Sequence, residues 1–560
     1  MRKHDEHPHI PTLKTWLADG KIDRRQFLRE ATLLGLSAAA AYSVAGKIAG
    51  GPAVAPAAAQ AAMPKGGTLR IGLRVQELKN PHAYDWFQSE ITRNVCEYLT
   101  KTGADNITRP DLLEKWTASP DLKTWTLSVR RDIKWRKGRD FTADDVVWNL
   151  KRLLDPATGS SQLGVMSGYM LDRFDTGQKD DKGQPKMSFR LWDANAIERV
   201  DAHTVRLNLK VPQLAVPEHL FNWPAHMMDP EEKGLFEPGA NGTGAFVLDE
   251  VKVGQKAVLK ARAGYRGPGP YLDAVEYIDL GDDPAAAIAA MAAKQIHGIR
   301  EIDVVQLDAI KALPHVAIHQ VVSARTAVAR VRMEGKPFDD ARVRLAMKLA
   351  IDSQKVLEVA YRNLGAAGEH HHVCPAHPEY AKLPPMKQDI ARAKRLLAEA
   401  GHPDGIETTI ACKKDPAWEQ AAVEAMVEMW KQAGIRVKVN VMPAAQYWQI
   451  WKTVPFGFTS WNHRPLGGMV LAQAYRGSSN LNESGYKNAE LDKLIDEAEG
   501  TLDLEKRRAV TSRIQEILQK DGPIVQPLWR SNITAFDKRV KGFVVHPSSM
   551  MFPNELALES

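Results

Sequence analysis

The densest group of side chains able to do chemistry is His370-His371-His372-Val373-Cys374-Pro375-Ala376-His377. Imidazole and thiolate are borderline-soft donors suited to zinc, copper or nickel. His370, His372 and His377 are the candidate metal ligands, either for a bound ion or for a metal arriving on a chelating solute. The competing reading is a polar loop whose imidazoles hydrogen-bond a polar ligand, with His371 and His372 as contacts.

Motifs of covalent or nucleotide chemistry are missing. The chain has no G-x-S-x-G elbow, no H-E-x-x-H and no G-x-x-x-x-G-K-[ST] loop. No resident cofactor is expected, and the chain does not read as an enzyme. Its three cysteines, Cys96, Cys374 and Cys412, form no C-x-x-C pair. At least one thiol is therefore unpaired within the chain, and Cys374–Cys412 is the pairing left open for an oxidising compartment. The formal net charge of +7 is spread thinly along the chain, without a basic run, so nucleic acid is not an expected partner.

These groups sit on a chain of 560 residues, too long for one hydrophobic core, with 44% hydrophobic and 26% charged residues. Residues 1–61 differ from the rest. Asp23-Arg24-Arg25-Gln26-Phe27-Leu28-Arg29 matches the twin-arginine targeting pattern. A weakly apolar Ala/Leu/Gly stretch follows, then small residues fitting an A-x-A cleavage site near 59–62. The expectation is export in a folded state by the twin-arginine translocase, and removal of the segment. With no cysteine near that site to carry a lipid, free release into the periplasm is expected.

Beyond it, hydrophobic periodicity predicts strands at Gly67–Leu73, Thr124–Val129 and Thr204–Leu209, and a hairpin of Ala245–Leu248 against Ala257–Leu259. It predicts helices at Ser89–Leu99, Thr142–Leu154, Asp283–Gly298, Ala489–Glu499 and Leu504–Lys520, with a strand-like tail from Ile524. Helices alternating with strands give an α/β class.

Several segments, in order, resemble the family-5 extracytoplasmic solute-binding proteins of ABC importers, the dipeptide, oligopeptide and nickel group. They are Gly66-Gly67-Thr68-Leu69-Arg70-Ile71, Ile133-Lys134-Trp135 with Phe141-Thr142-Ala143-Asp144-Asp145-Val146, Gly242-Thr243-Gly244-Ala245-Phe246, Phe338 to Asp352, Lys394 to Gly401 and Asn482 to Leu494. The resemblance implies a two-lobed periplasmic binding protein fold of the large class II type, with a hinge of crossing strands. Lobe I would span 62–282, lobe II 283–523, and 524–560 would return to lobe I. The crossings are expected near Asp279–Asp283 and Ile524–Phe536. It also implies a monomer that closes on its solute and docks on permease subunits in the inner membrane.

Peptide-binding members typically place an Asp in the region of Thr459–Gly467 to pair with the peptide's amino terminus. Here that stretch has no acidic residue and carries Asn462, His463 and Arg464. A buried, unpaired ammonium is costly, so the resemblance points to an anionic or chelating solute. Trp461 would wall the site, and Tyr84 and Trp86 would supply first-lobe contacts. The alternatives are a binder of peptides or opines, an exported metalloenzyme using His370–His377, and a periplasmic chaperone or sensor on the same fold.

Overall fold

The computed structural model describes residues 6–51, 63–84, 86–179, 183–281 and 283–560. The cleavage zone at 59–62 lies outside the described residues, as do Asp85, Asp282 and the side chain of Trp86. Among the described residues no helix is long and apolar enough to cross a membrane.

One 11-stranded sheet runs through the molecule. Its main strands are β1 (Thr68–Gly72), β2 (Phe246–Lys252), β3 (Lys256–Ala261), β4 (Ala274–Ile278), β5 (Gly298–Ile299), β6 (Val316–Val331), β7 (Ile406–Lys413), β8 (Ile435–Met442), β9 (Phe456–Trp461) and β10 (Ile524–Asp537). Their spatial order is β2-β3-β4-β1-β5-β10-β6-β9-β7-β8. Two lobes build on the two ends. The β1–β4 end shares lobe I with a separate four-stranded sheet that contains Leu113–Ala118 and Thr124–Val129. The β7–β9 end forms lobe II, whose core includes Trp418, Trp430, Phe456 and Phe458.

The long antiparallel strands β6 and β10 join the lobes. Val316–Val321 pairs with Asn532–Asp537 beside lobe I, and Arg325–Arg330 pairs with Ile524–Arg530 inside lobe II. The register breaks between Val321 and Arg325. β10 is the crossing read from the apolar tail. At Asp279–Asp283, the other stretch expected as a crossing, Asp283 caps a helix at Pro284–Ala292 by accepting a hydrogen bond from Ala285 N–H.

Local signals explain most elements. Thr142 and Asp145 form a capping box at Ala143–Leu153. The helix expected over Ser89–Leu99 is shorter, Trp86–Thr92. Asn94 Nδ2 donates to Glu90 O at 2.8 Å, so a side chain satisfies a carbonyl that another turn would use. Cys96, Cys374 and Cys412 are buried free thiols, so the Cys374–Cys412 pairing is not formed.

The N-terminal segment forms three helices, α1 (Ile10–Ala18), α2 (Arg24–Leu33) and α3 (Ala38–Ala49). They pack on the lobe I core: Leu13, Phe27, Leu28 and Ala31 lie in one cluster with Trp116, Trp125, Leu127 and Leu504. Asp23 caps α2, directly ahead of Arg24 and Arg25.

Candidate functional site

Asn462, His463 and Arg464 form the loop that leaves the end of β9 between the lobes. The strand ends at Trp461, Pro465 lies in the loop, and a helix starts at Gly467. A Cβ on Gly467 would lie 3.1 Å from His377 Nδ1 and 3.2 Å from Glu379 Oε1, so the loop is pressed against the histidine segment. His377 Nδ1 accepts from Cys374 N–H at 3.0 Å, which leaves Nε2 to donate to Arg464 O at 3.0 Å. The histidine thereby fixes the backbone that carries Arg464.

This loop lines a cavity of about 50 Å³ between the lobes, room for about four waters. Lobe I contributes Arg93, Asn106, Glu218, Trp223 and Arg300 to its wall, and the C-terminal tail contributes His546. Arg464 lies over the Trp223 ring, 4.5 Å from its centroid. Its Nη1 donates to His463 O at 3.1 Å and its Nη2 to Gln473 Oε1 at 3.3 Å, while Nε is buried without an acceptor. Burial pulls this guanidinium down to about 10, still fully charged at neutral pH. Trp223 Nε1 and Arg93 Nη1 are buried donors without acceptors as well. Behind the wall, Glu90 is 3.3 Å from Arg300 and 3.7 Å from Arg93, one carboxylate between two guanidinium groups. Glu218 is the acid on the cavity wall, and burial raises it to about 7.

Asn462 lines the cavity as well, and the other residues singled out by sequence have different settings. His463 does line the cavity, but Nδ1 accepts from Ala324 N–H at 3.0 Å and Nε2 donates to Asn106 Oδ1 at 2.9 Å. Burial holds it well below the usual histidine range. It is a neutral bridge between the lobes, so Arg464 and not the imidazole carries the charge. Trp461 faces the lobe II core, where its Nε1 donates to Glu483 Oε1 at 3.0 Å. Tyr84 lies in the lobe I core.

The histidine run is buried scaffold. His370 Nδ1 accepts from Gln526 N–H, His371 Nε2 meets Gln515 Nε2 and Glu369, and His372 Nδ1 meets the Tyr475 hydroxyl. One nitrogen of each of these rings has its own partner, while His371 Nδ1 and His372 Nε2 are buried without one. Among the described residues no three His, Cys, Asp or Glu side chains are grouped to hold a metal. His370, His372 and His377, expected as candidate ligands, are each engaged at one nitrogen by a different scaffold partner. Sequence reasoning missed Arg93, Glu218, Trp223 and Arg300, which share no motif and meet only through the fold.

Two lobes joined by crossing strands, with a small cavity between them, are the architecture of a hinged binding protein. The chain belongs to the bacterial extracellular solute-binding proteins, family 5, whose middle-region model matches residues 108–483. It is 24% identical over 477 residues to dipeptide-binding protein DppE of Bacillus subtilis (strain 168), covering 81% of this chain and 84% of the relative. It is 24% identical over 526 residues to glutathione-binding protein GsiB of Escherichia coli (strain K12), covering 90% and 96%. Among solved structures, the binding protein AppA from Bacillus subtilis in complex with a nonapeptide superposes with a TM-score of 0.74 at 20% identity, over 89% of this chain and 100% of that one. Members of the family serve ABC importers as their extracytoplasmic solute-binding component.

Proposed function

We propose that this chain is the receptor of an ABC importer for a small anionic solute, whose charged group seats on Arg464 against the Trp223 face. The observation that carries the reading is a buried guanidinium at the cavity wall with no carboxylate partner and an unsatisfied Nε. A carboxylate or phosphate would complete it with charge-assisted hydrogen bonds. The receptor works as a monomer in the periplasm, delivered by the twin-arginine segment, and hands its solute to permease subunits without turnover.

A second reading rests on Glu218. Its Oε2 is a buried acceptor without a donor on the same cavity wall. A solute carrying both charges, a peptide or an opine, would use Arg464 for its carboxylate and Glu218 for its ammonium.

Isothermal titration against tricarboxylates, sugar phosphates, glutathione, opines and dipeptides tests both. Arg464→Ala is expected to weaken the best anion about 10- to 100-fold, the worth of a charge-assisted hydrogen bond. Arg464→Lys restores part of the loss. Unchanged affinity in Arg464→Ala would sink the anion reading. Loss of binding in Glu218→Gln would select the doubly charged solute.

A further inference from the structure

The three N-terminal helices do more than trail from the body. They grip lobe I through a buried apolar face, with Leu13, Phe27 and Ala31 fully covered. Trp116 Nε1 donates to Leu33 O at 2.8 Å. Gly35 sits at φ +93°, and a Cβ there would lie 2.3 Å from the Trp116 carbonyl oxygen, so this approach requires glycine.

The same helices reach lobe II. Glu30 pairs with Arg507 at 2.7 Å, with side-chain exposures of only 2% and 4%. Arg507 belongs to the Leu504–Lys520 helix, which packs into the lobe II core through Val510, Ile514 and Leu518. A third contact runs to the cleft. Arg29 Nε donates to Asn106 O at 3.1 Å, and the Asn106 side chain takes the His463 bond across the lobes. Arg29 also lies near Glu379 of lobe II and Glu218 of the cavity.

We propose that residues 10–49 are a latch that holds the two lobes closed over the cleft for as long as they remain attached. Opening the lobes must either separate Glu30 from Arg507 or pull α2 off Trp116. Breaking a buried ion pair strands a charge, and peeling the helices exposes a continuous apolar face. The latch faces only elements of this chain, so the proposal stands apart from the identity of the solute.

The test uses the full-length chain without solute. Spin labels go on Val200→Cys in lobe I, 41% exposed, and Lys431→Cys in lobe II, whose side chain is 71% exposed. The three native thiols are buried. Electron–electron distance measurements should give one narrow, short distance. Glu30→Arg should add a longer population, and Glu30→Arg with Arg507→Glu should remove it again. A native chain that is already open, or a Glu30→Arg chain with an unchanged distribution, overturns the latch. Hydrogen exchange on the unsubstituted chain decides the matter should Glu30→Arg fail to fold. The α2 amides are expected to exchange at least about 100-fold more slowly than free peptide, and exchange at the free-peptide rate overturns the proposal.

Discussion

Glu218 and Arg464 stand on one cavity wall with opposite charge, and their titration separates the two classes of solute. Burial raises Glu218 to about 7, above its value in an unfolded chain, while nearby Arg29 pulls it down. The fold therefore favours the protonated form, and this group makes stability fall as pH rises from the ordinary glutamate range toward 7. Below about pH 7 the cavity loses its negative charge. Binding of a pure anion should then tighten between pH 8 and pH 6, and Glu218→Gln should flatten the profile. Titration calorimetry at three pH values checks this, and tightening toward pH 8 would instead mark a doubly charged solute. Arg464 was singled out in the sequence because a stretch expected to carry an acid carries none, and the fold sets it on the cavity wall. The surroundings of the histidine run were not legible, because residue type suggests metal chemistry while only the fold sets Gln526, Gln515, Tyr475 and the Arg464 carbonyl against one nitrogen of each ring.

At the scale of elements, the crossing strands carry a charge cluster of their own. Arg325 of β6 and Arg530 of β10 each lie 2.8 Å from Glu301, just beyond β5. Both arginines are almost fully buried and Glu301 is 27% exposed, so the carboxylate ties the two crossings to lobe I. These guanidinium groups outweigh the desolvation that would raise Glu301, and hold it well below the usual glutamate range. Glu301→Gln should cost about 2 kcal/mol, between the worth of an exposed pair and that of a buried one. A depressed carboxylate adds stability above its unfolded pKa and loses it on acidification, so the gap to Glu301→Gln should narrow below about pH 4. Urea unfolding at pH 7 and pH 3 measures it, and an equal gap at both would refute the assignment. β10 was readable as a strand because it is buried along its whole length. β6 was not, because its first half alternates between half-buried and exposed positions while only its second half enters the core. A strand shared by two environments has no single hydrophobic period.

For the whole molecule, a cavity of about 50 Å³ is far smaller than the several hundred Å³ of a usual small-molecule site. A solute of usual size would need the lobes to part before it could enter. Only the open fraction binds, so apparent affinity is the intrinsic affinity scaled by that fraction. A latch that lowers the fraction should leave a kinetic signature. Trp223, stacked on Arg464, places a fluorophore beside the expected charge. After rapid mixing of the full-length chain with the tightest anion of the titration panel, the observed rate should rise with concentration and then level off at the opening rate. Glu30→Arg should lift that plateau, and the charge-swapped pair with Arg507→Glu should return it. A rate that climbs linearly to the highest concentration would mean a cleft open before solute arrives, and neither the closed cavity nor the helices that clamp it would then govern binding.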